Sequence, residues 1–516
     1  AGRVKYIEPG LWIAAEHAGE YEKAFEPGSG SDTRDAAEAR QNILRRALRY
    51  RGGMDAIEVS ERFFWNEDEA SELLRALEAA GLAVKSGEIY YHAELYERAR
   101  RETVRDRRRS AVTRPPERYA ALLLRRRTVP APPAEQTRGA LALMRDIGLP
   151  AEMWEKIILP ARVRGYRPEL LEAALAEGET FWRYADGKVS FHSVGDIDYD
   201  LPPAVPDDIT EYERELLEFL KKRGASFARA MPPPMHASAS NETSDVGIAT
   251  AMPLPVRART SNQTQADALF SLISRSLIRS DSFAPIRRLS DAPPRNQTET
   301  RRAARARASA LSGRFELARP PRELTSEERI ERIFDSEVIL CRETARGRLD
   351  WGAALEILRL WELTGRARRG YFIAGLGGAQ FIRGSDYDAV SAALAAESDE
   401  ITWISAVDPA LKWGKTLKHL ENRAFTAVPG TVVGLRGGLP AAVFERRGAV
   451  LKIFGGAADA AALLRAFARE FSLGAVFADA RRITTREYSP EAREALTDAG
   501  FVRQMNDFVL YRNISG

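Results

Sequence analysis

One cysteine, Cys341, stands among 516 residues. No intrachain disulfide can form, and no cysteine-rich zinc site can be assembled. That usage fits a reducing cytoplasm. Histidine is scarce as well. His17, His92, His192, His236 and His419 show neither HExxH nor HxH spacing, which argues against a histidine-built metal site and leaves them as surface or packing residues. No apolar run approaches the ~20 residues of a membrane span. The opening AGRVKYIEPG has no signal-peptide core; it reads as the middle of a structured region, so a fragment of a longer polypeptide is expected. The sequons at Asn241, Asn262, Asn296 and Asn513 carry no weight in a cytoplasmic protein. No GxxxxGK[ST] occurs, so no nucleotide-hydrolysing motor is expected within these residues.

What is present is apolar content of 44%, enough for real cores, and a length that suggests three or four domains. Lys+Arg (77) and Asp+Glu (73) nearly cancel to +4, so the mean charge decides little. Its distribution decides more. Arg98 to Arg127 holds twelve arginines against three acids, and Arg287 to Arg314 eight against two. Such runs are usual in nucleic-acid binders. The first reads equally as a phosphate-contacting helix or a solvated face; the second reads as a linker.

A unit recurs along the chain. LLRALEAAGLAVKSGEIYY (73–91), LLEAALAEGETFWRYADGKVSFH (170–192), LFSLISRSLIRSDSFAPI (269–286) and ILRLWELTGRARRGYFIAG (357–375) each begin with helical spacing of apolar residues. Gly81, Gly178 and Gly365 then cap the helix, and a short polar or basic alternation predicts a β-hairpin. Helix plus wing is the second half of a winged helix-turn-helix. The boundaries that follow are a connecting segment at 1–39, a winged helix with a basic helix at 40–112, and a degenerate module at 113–205. A third module spans 206–290, with an extended Pro/Ser/Thr-rich loop at 230–265. A basic linker at 291–322, a winged helix at 323–392 and a β-barrel-like module at 393–516 complete the chain. The fold class expected is α+β: tandem winged-helix modules followed by a β-barrel-like α+β C-terminal module.

The stretch GRARRGYFIAGLGGAQF (365–381) combines glycines, arginines and aromatics. It lacks the Lys-Ser/Thr of a phosphate loop, and its glycines follow a hairpin rather than opening a helix. It reads as a wing. Arg366, Arg368 and Arg369 sit on the hairpin, Tyr371 and Phe372 face opposite sides of its second strand, and the glycines permit a close backbone approach. Either the wing contacts phosphates and the minor groove or it is a solvent-exposed basic hairpin.

Together with AVDPALKWGKTL, AVFERRGAVLKIF and WEKIILPARVRGYRP (Trp154, Pro160, Arg162, Tyr166 and Pro168), this stretch resembles the C-terminal region of bacterial large helicase-related proteins, the Lhr family, from about residue 40 onward. RGASF, SDSFAPIRRL and GRFEL fit as well. The sequence departs from that pattern at Arg126, at Ser110 to Val112 and after Trp413. The resemblance implies an ATP-dependent superfamily 2 DNA helicase linked to repair, its motor using ATP and Mg outside this chain, with no cofactor held here. It implies DNA as partner, self-association, and similarity to AlkZ-type (YcaQ-like) DNA glycosylases. DNA-contacting candidates are then Arg107, Arg108, Arg109, Arg366, Arg368, Arg369, Tyr371, Gln380 and Trp413.

A glycosylase needs a carboxylate or carboxamide to orient water or stabilise an oxocarbenium-like sugar, and a pocket for a flipped base. Asp408, in AVDPALKWG, is the carboxylate candidate, with Trp403 and Trp413 near it for stacking and Gln380 as polar partner. The plainer alternative is an Asx-turn before Pro409. Glu445 is expected to pair with Arg446 or Arg447. Three classes of function stay open: a DNA-binding, oligomerising helicase region, a base-excision enzyme, and a protein-interaction scaffold.

Overall fold

The computed structural model describes residues 3–25, 33–234, 264–290, 311–490 and 492–512. Most of the expected loop at 230–265, much of the expected linker, His236 and all four sequons lie outside the described residues. No helix of the described residues is long and apolar enough to cross a membrane. The chain divides into two compact units, one of residues 1–111 with 358–370 and one of residues 112–357 with 371–516.

In the first unit, helices Thr33–Arg51, Ala56–Phe63 and Glu67–Ala79 pack their apolar stripes together, and the hairpin Ala83–Ser86/Ile89–His92 forms the wing. Leu44, Leu48, Val59, Phe63, Leu74 and Leu77 fill the core. Asp55 and Asn66 cap the second and third helices through their side chains. Gly81, at φ +70°, follows the third helix, whose buried row is Ala70, Leu73, Leu74 and Leu77. Within the segment expected as a connection at 1–39, residues 4–25 form structure of their own. The hairpin Val4–Ile7/Leu11–Ala14 and helix Ala18–Phe25 precede the module, and Ala24 is buried in its core.

In the second unit, prolines open helices Pro116–Arg126, Pro133–Leu143 and Pro168–Ala176, where the missing N–H is harmless. A π-helical turn at Trp154–Ile158 lies between the last two and turns Trp154 into the core, its indole donating to the Val189 carbonyl of hairpin Thr180–Ala185/Lys188–Ser193. One core runs on from there. Trp154, Trp182 and Phe191 join Leu216, Leu269, Phe283 and Phe315, so the second and third expected modules share a single interior. The third module also extends further than expected. Strand Arg314–Leu317, within the stretch read as linker, pairs with both Ser226–Phe227 and Ile278–Ser280. Helix Ser326–Glu337 opens with a Thr325/Glu328 capping box.

The last residues form a five-stranded sheet in the order Ile401–Ser405, Val432–Arg436, Leu439–Glu445, Val450–Ile453, Glu487–Tyr488. All pairs are antiparallel except the last. The two end strands do not meet, so the sheet is open and the expected barrel closure is not seen. Helix Ala457–Ser472 covers it with Leu463, Phe467 and Phe471 against Trp403 and Phe444. Gly434 leaves room for Trp403, whose ring would lie 2.7 Å from an added Cβ. The two-residue turn Gly437-Gly438 has positive φ at both positions, as a primed hairpin turn requires. Glu445 pairs with Lys452 at 2.7 Å rather than with its arginine neighbours; Arg446 and Arg447 reach Glu487 and Asp479.

Candidate nucleic-acid interface

Helix Ala93–Arg109 leaves the wing strand Ile89–His92 without a loop. It buries only Val104, so apolar packing alone does not hold it. Polar clamps do. Arg100 donates to the Leu363 carbonyl at 3.2 Å, and Arg108 forks onto Glu362 through Nε and Nη2, both at 2.6 Å. Glu362 is 6% exposed, and an unpaired carboxylate there is costly. The Glu362 bond in turn holds the Arg108 guanidinium above its usual value. Sequence-distant arginine groups thus fall in the first unit: Arg98 to Arg109 on the helix, Arg366 just before strand Ala367–Gly370, and Arg368 and Arg369 within it. Arg366 lies 3.7 Å over the Trp361 ring, a cation–π contact.

The helix carries seven arginines against four acids, a surplus of three positive charges. Three arginines fill its last turn, where the helix dipole favours cations. Arg101, Arg107 and Arg109 are exposed and make no ion pair among the described residues. Of the expected contacts, Arg107 and Arg109 are presented to solvent, whereas Arg108 is largely taken up by Glu362.

The other candidates fall in the second unit and several are corrected. Tyr371 is 62% exposed, but no strand runs through it; the next strand begins at Gln380. Gln380 is fully buried and presents nothing to a ligand. Its Oε1 accepts from the N–H groups of Phe372 and Ile373, and its Nε2 donates to the carbonyls of Ile373 and Leu376. The glycines make their close approach within the protein. The Gly377 N–H donates to Glu343 Oε1 at 3.0 Å, and a Cβ there would meet that oxygen at 2.9 Å.

Trp413 and Trp403 are buried, their indoles donating to the carbonyls of Gly438 and Leu463, so neither offers a stacking face. Asp408 is also fully buried. It does make the Asx-type turn, Oδ1 accepting from the Ala410 N–H at 2.8 Å. In addition both its oxygens are held by Arg162, at 2.6 and 2.7 Å. Burial alone would push this carboxyl up; the Arg162 guanidinium overrides that and keeps it below the ordinary carboxylate range. Lys415 donates to the Asp408 carbonyl at 2.8 Å. Arg162 was visible in LPARVRGY only as part of a motif. No local pattern links it to a partner 246 positions away.

Residues 115–194 and 319–402 each match a family model described as "Large helicase-related protein, winged-helix domain". The chain is similar to the "Lhr helicase/uracil glycosylase" of Escherichia coli (strain K12), 27% identical over 470 residues that cover 81% of this chain and 28% of that protein. It is also similar to the "Lhr helicase/ probable uracil glycosylase" of Mycolicibacterium smegmatis (strain ATCC 700084 / mc(2)155), 26% identical over 482 residues that cover 83% of this chain and 30% of that protein. The chain therefore spans under a third of the length of each of these relatives.

Proposed function

We propose that this chain, an Lhr-type region, grips DNA on behalf of an ATP-dependent helicase motor acting in repair. In this reading ATP and Mg belong to the motor, the setting is cytoplasmic, and the chain works as part of a homo-oligomer. The observation that carries the reading is the Arg108–Glu362 fork, which sets the arginine-rich last turn of helix Ala93–Arg109 in the unit that also holds Arg366, Arg368 and Arg369. A ridge of this kind binds backbone phosphate without reading bases, and its affinity falls with salt as counterions are released.

The test uses fluorescent single-stranded and duplex DNA, each with and without deoxyuracil. Binding is read at two salt concentrations, and strand scission after alkali on the same samples. Salt-sensitive binding that weakens in Arg107→Ala/Arg109→Ala supports the reading. Binding by that double variant equal to the parent's, at both salts, refutes it.

A second reading, base excision, is favoured by the names of both relatives. Against direct chemistry by Asp408 stands the Arg162 fork, which occupies both carboxylate oxygens. Uracil-dependent scission lost in a folded Asp408→Asn variant would establish excision here.

A further inference from the structure

Helix Pro116–Arg126 runs out into Arg127-Thr128-Val129-Pro130, and this segment forms a wall shared by two cavities of the second unit, of about 500 and 480 Å³. Both fall within the range of ligand pockets, roughly 300–1,000 Å³. Both are rich in arginine, yet they differ in how those charges are matched.

In the larger cavity the cations have partners. Arg332 is bridged to Asp146 and to Asp196, Arg348 donates to Ser336 Oγ at 3.0 Å and lies 3.6 Å from Glu337, and Arg126 donates weakly to the Asp335 carbonyl. In the smaller one three of them do not. Arg125, Arg164 and Arg469 line it and make no side-chain hydrogen bond or ion pair among the described residues. Arg127 has one long bond, 3.4 Å, to the Trp403 carbonyl, and burial pulls its guanidinium below the ordinary value against the opposing pull of Asp408. Arg162 forms part of the lining too. Its side chain is 1% exposed; Nη1 and Nη2 hold Asp408, and Nε is buried with no acceptor. Two carboxylates, Glu400 and Glu470, share the cavity. With Arg162 neutralised by Asp408, four guanidiniums face two carboxylates.

We propose that this cavity binds a phosphate group of a single DNA strand, with Arg125, Arg164 and Arg469 as its principal ligands. Arg125, Arg164 and Arg469 are exposed at the rim of this concave site; unmatched guanidiniums converging on a recess focus field on an anion, and Arg is the side chain best shaped to fork a phosphate. A single strand's flexible backbone can follow a recess of about 480 Å³, which the stiff wall of an intact duplex follows less readily. The choice of DNA as the source rests on the function proposed above; the choice of phosphate does not.

The experiment titrates the full chain with a fluorescent oligothymidylate of eight nucleotides, then competes it with inorganic pyrophosphate and with thymidine monophosphate. Arg125→Ala/Arg469→Ala is compared with the single variant Arg164→Glu, whose exposed side chain leaves packing untouched; melting curves check that each is folded. Both variants are expected to lose about tenfold in affinity for the single strand at moderate salt, as the loss of one or two phosphate contacts implies. Duplex binding and the effect of Arg107→Ala/Arg109→Ala should be unchanged by them. Single-strand affinity equal to the parent's in both cavity variants overturns the proposal, whatever the basic helix does. Loss of pyrophosphate or monophosphate binding with the strand unaffected also overturns it, and makes a small phosphate ester the occupant. Strand binding that falls only in the cavity variants upholds the cavity and removes the basic helix as the grip.

Discussion

Arg162 and Asp408 lie 246 positions apart and meet in a two-pronged ion pair with both side chains at or below 1% exposure. A buried pair of this kind is weak evidence for net stability, but removing one partner leaves an uncompensated charge. Asp408→Ala should therefore destabilise the protein by about 3–5 kcal/mol. The double variant Arg162→Met/Asp408→Leu should recover much of that loss. Thermal or urea unfolding of Arg162→Met, Asp408→Leu and the double variant, beside Asp408→Ala, measures it. Additive losses in the double variant would show that the two side chains do not act as a pair.

The Arg108–Glu362 fork makes an opposite kind of prediction. Glu362→Ala removes one negative charge beside the ridge and releases Arg108. With Arg100 still fixing the helix through the Leu363 carbonyl, DNA affinity at low salt should rise, and the slope of log affinity against log salt should steepen by about one. Stability should change little, about 1 kcal/mol, since Arg108 remains near half-exposed. A slope unchanged within error would place Arg108 on DNA already, with Glu362 merely orienting it.

Gln380 closes the segment Phe372–Leu376, which leads into its own strand, by four hydrogen bonds to its backbone. Gln380→Leu keeps the volume and strands those buried groups, at a cost of about 3 kcal/mol. Melting curves and hydrogen exchange at Phe372 and Ile373 would show it. Protection there equal to the parent's would mean that the loop is held by something else.

Cys341 is buried, and burial pushes its thiol up to about 11. A raised thiol favours the neutral form in the folded state. Its contribution to stability is thus complete below the unfolded value of about 8.5 and is lost as pH rises toward 11. Iodoacetamide at pH 8 should label the native protein slowly and the urea-unfolded protein fast, as intact mass would reveal. Rapid labelling under native conditions would contradict the burial.

How much of this was legible in the residues differs by element. The helix ends were legible because Gly81, Gly178 and Gly365 all adopt positive φ where the apolar spacing stops. The strands after residue 430 were legible because Gly437-Gly438 and Gly448 break short apolar runs. The open sheet was not, since closure depends on where the end strands lie and not on their pattern. Trp413 and Gln380 looked like ligand residues because aromatic and amide side chains serve sites and cores alike; only their indole and amide partners separate the two uses. Arg125 belongs to the basic run at 98–127, but nothing in the pattern links it with Arg469, because 344 positions separate two side chains that line one cavity.

The clamps on helix Ala93–Arg109 also have a kinetic meaning. A basic segment that folds on contact must order itself during association, which slows capture and leaves a large heat-capacity signature. Here Arg100 and Arg108 already fix the helix through Leu363 and Glu362. If the chain grips DNA as proposed, the encounter finds a finished surface and its speed is governed by long-range attraction, so that added salt should act first on the rate of capture.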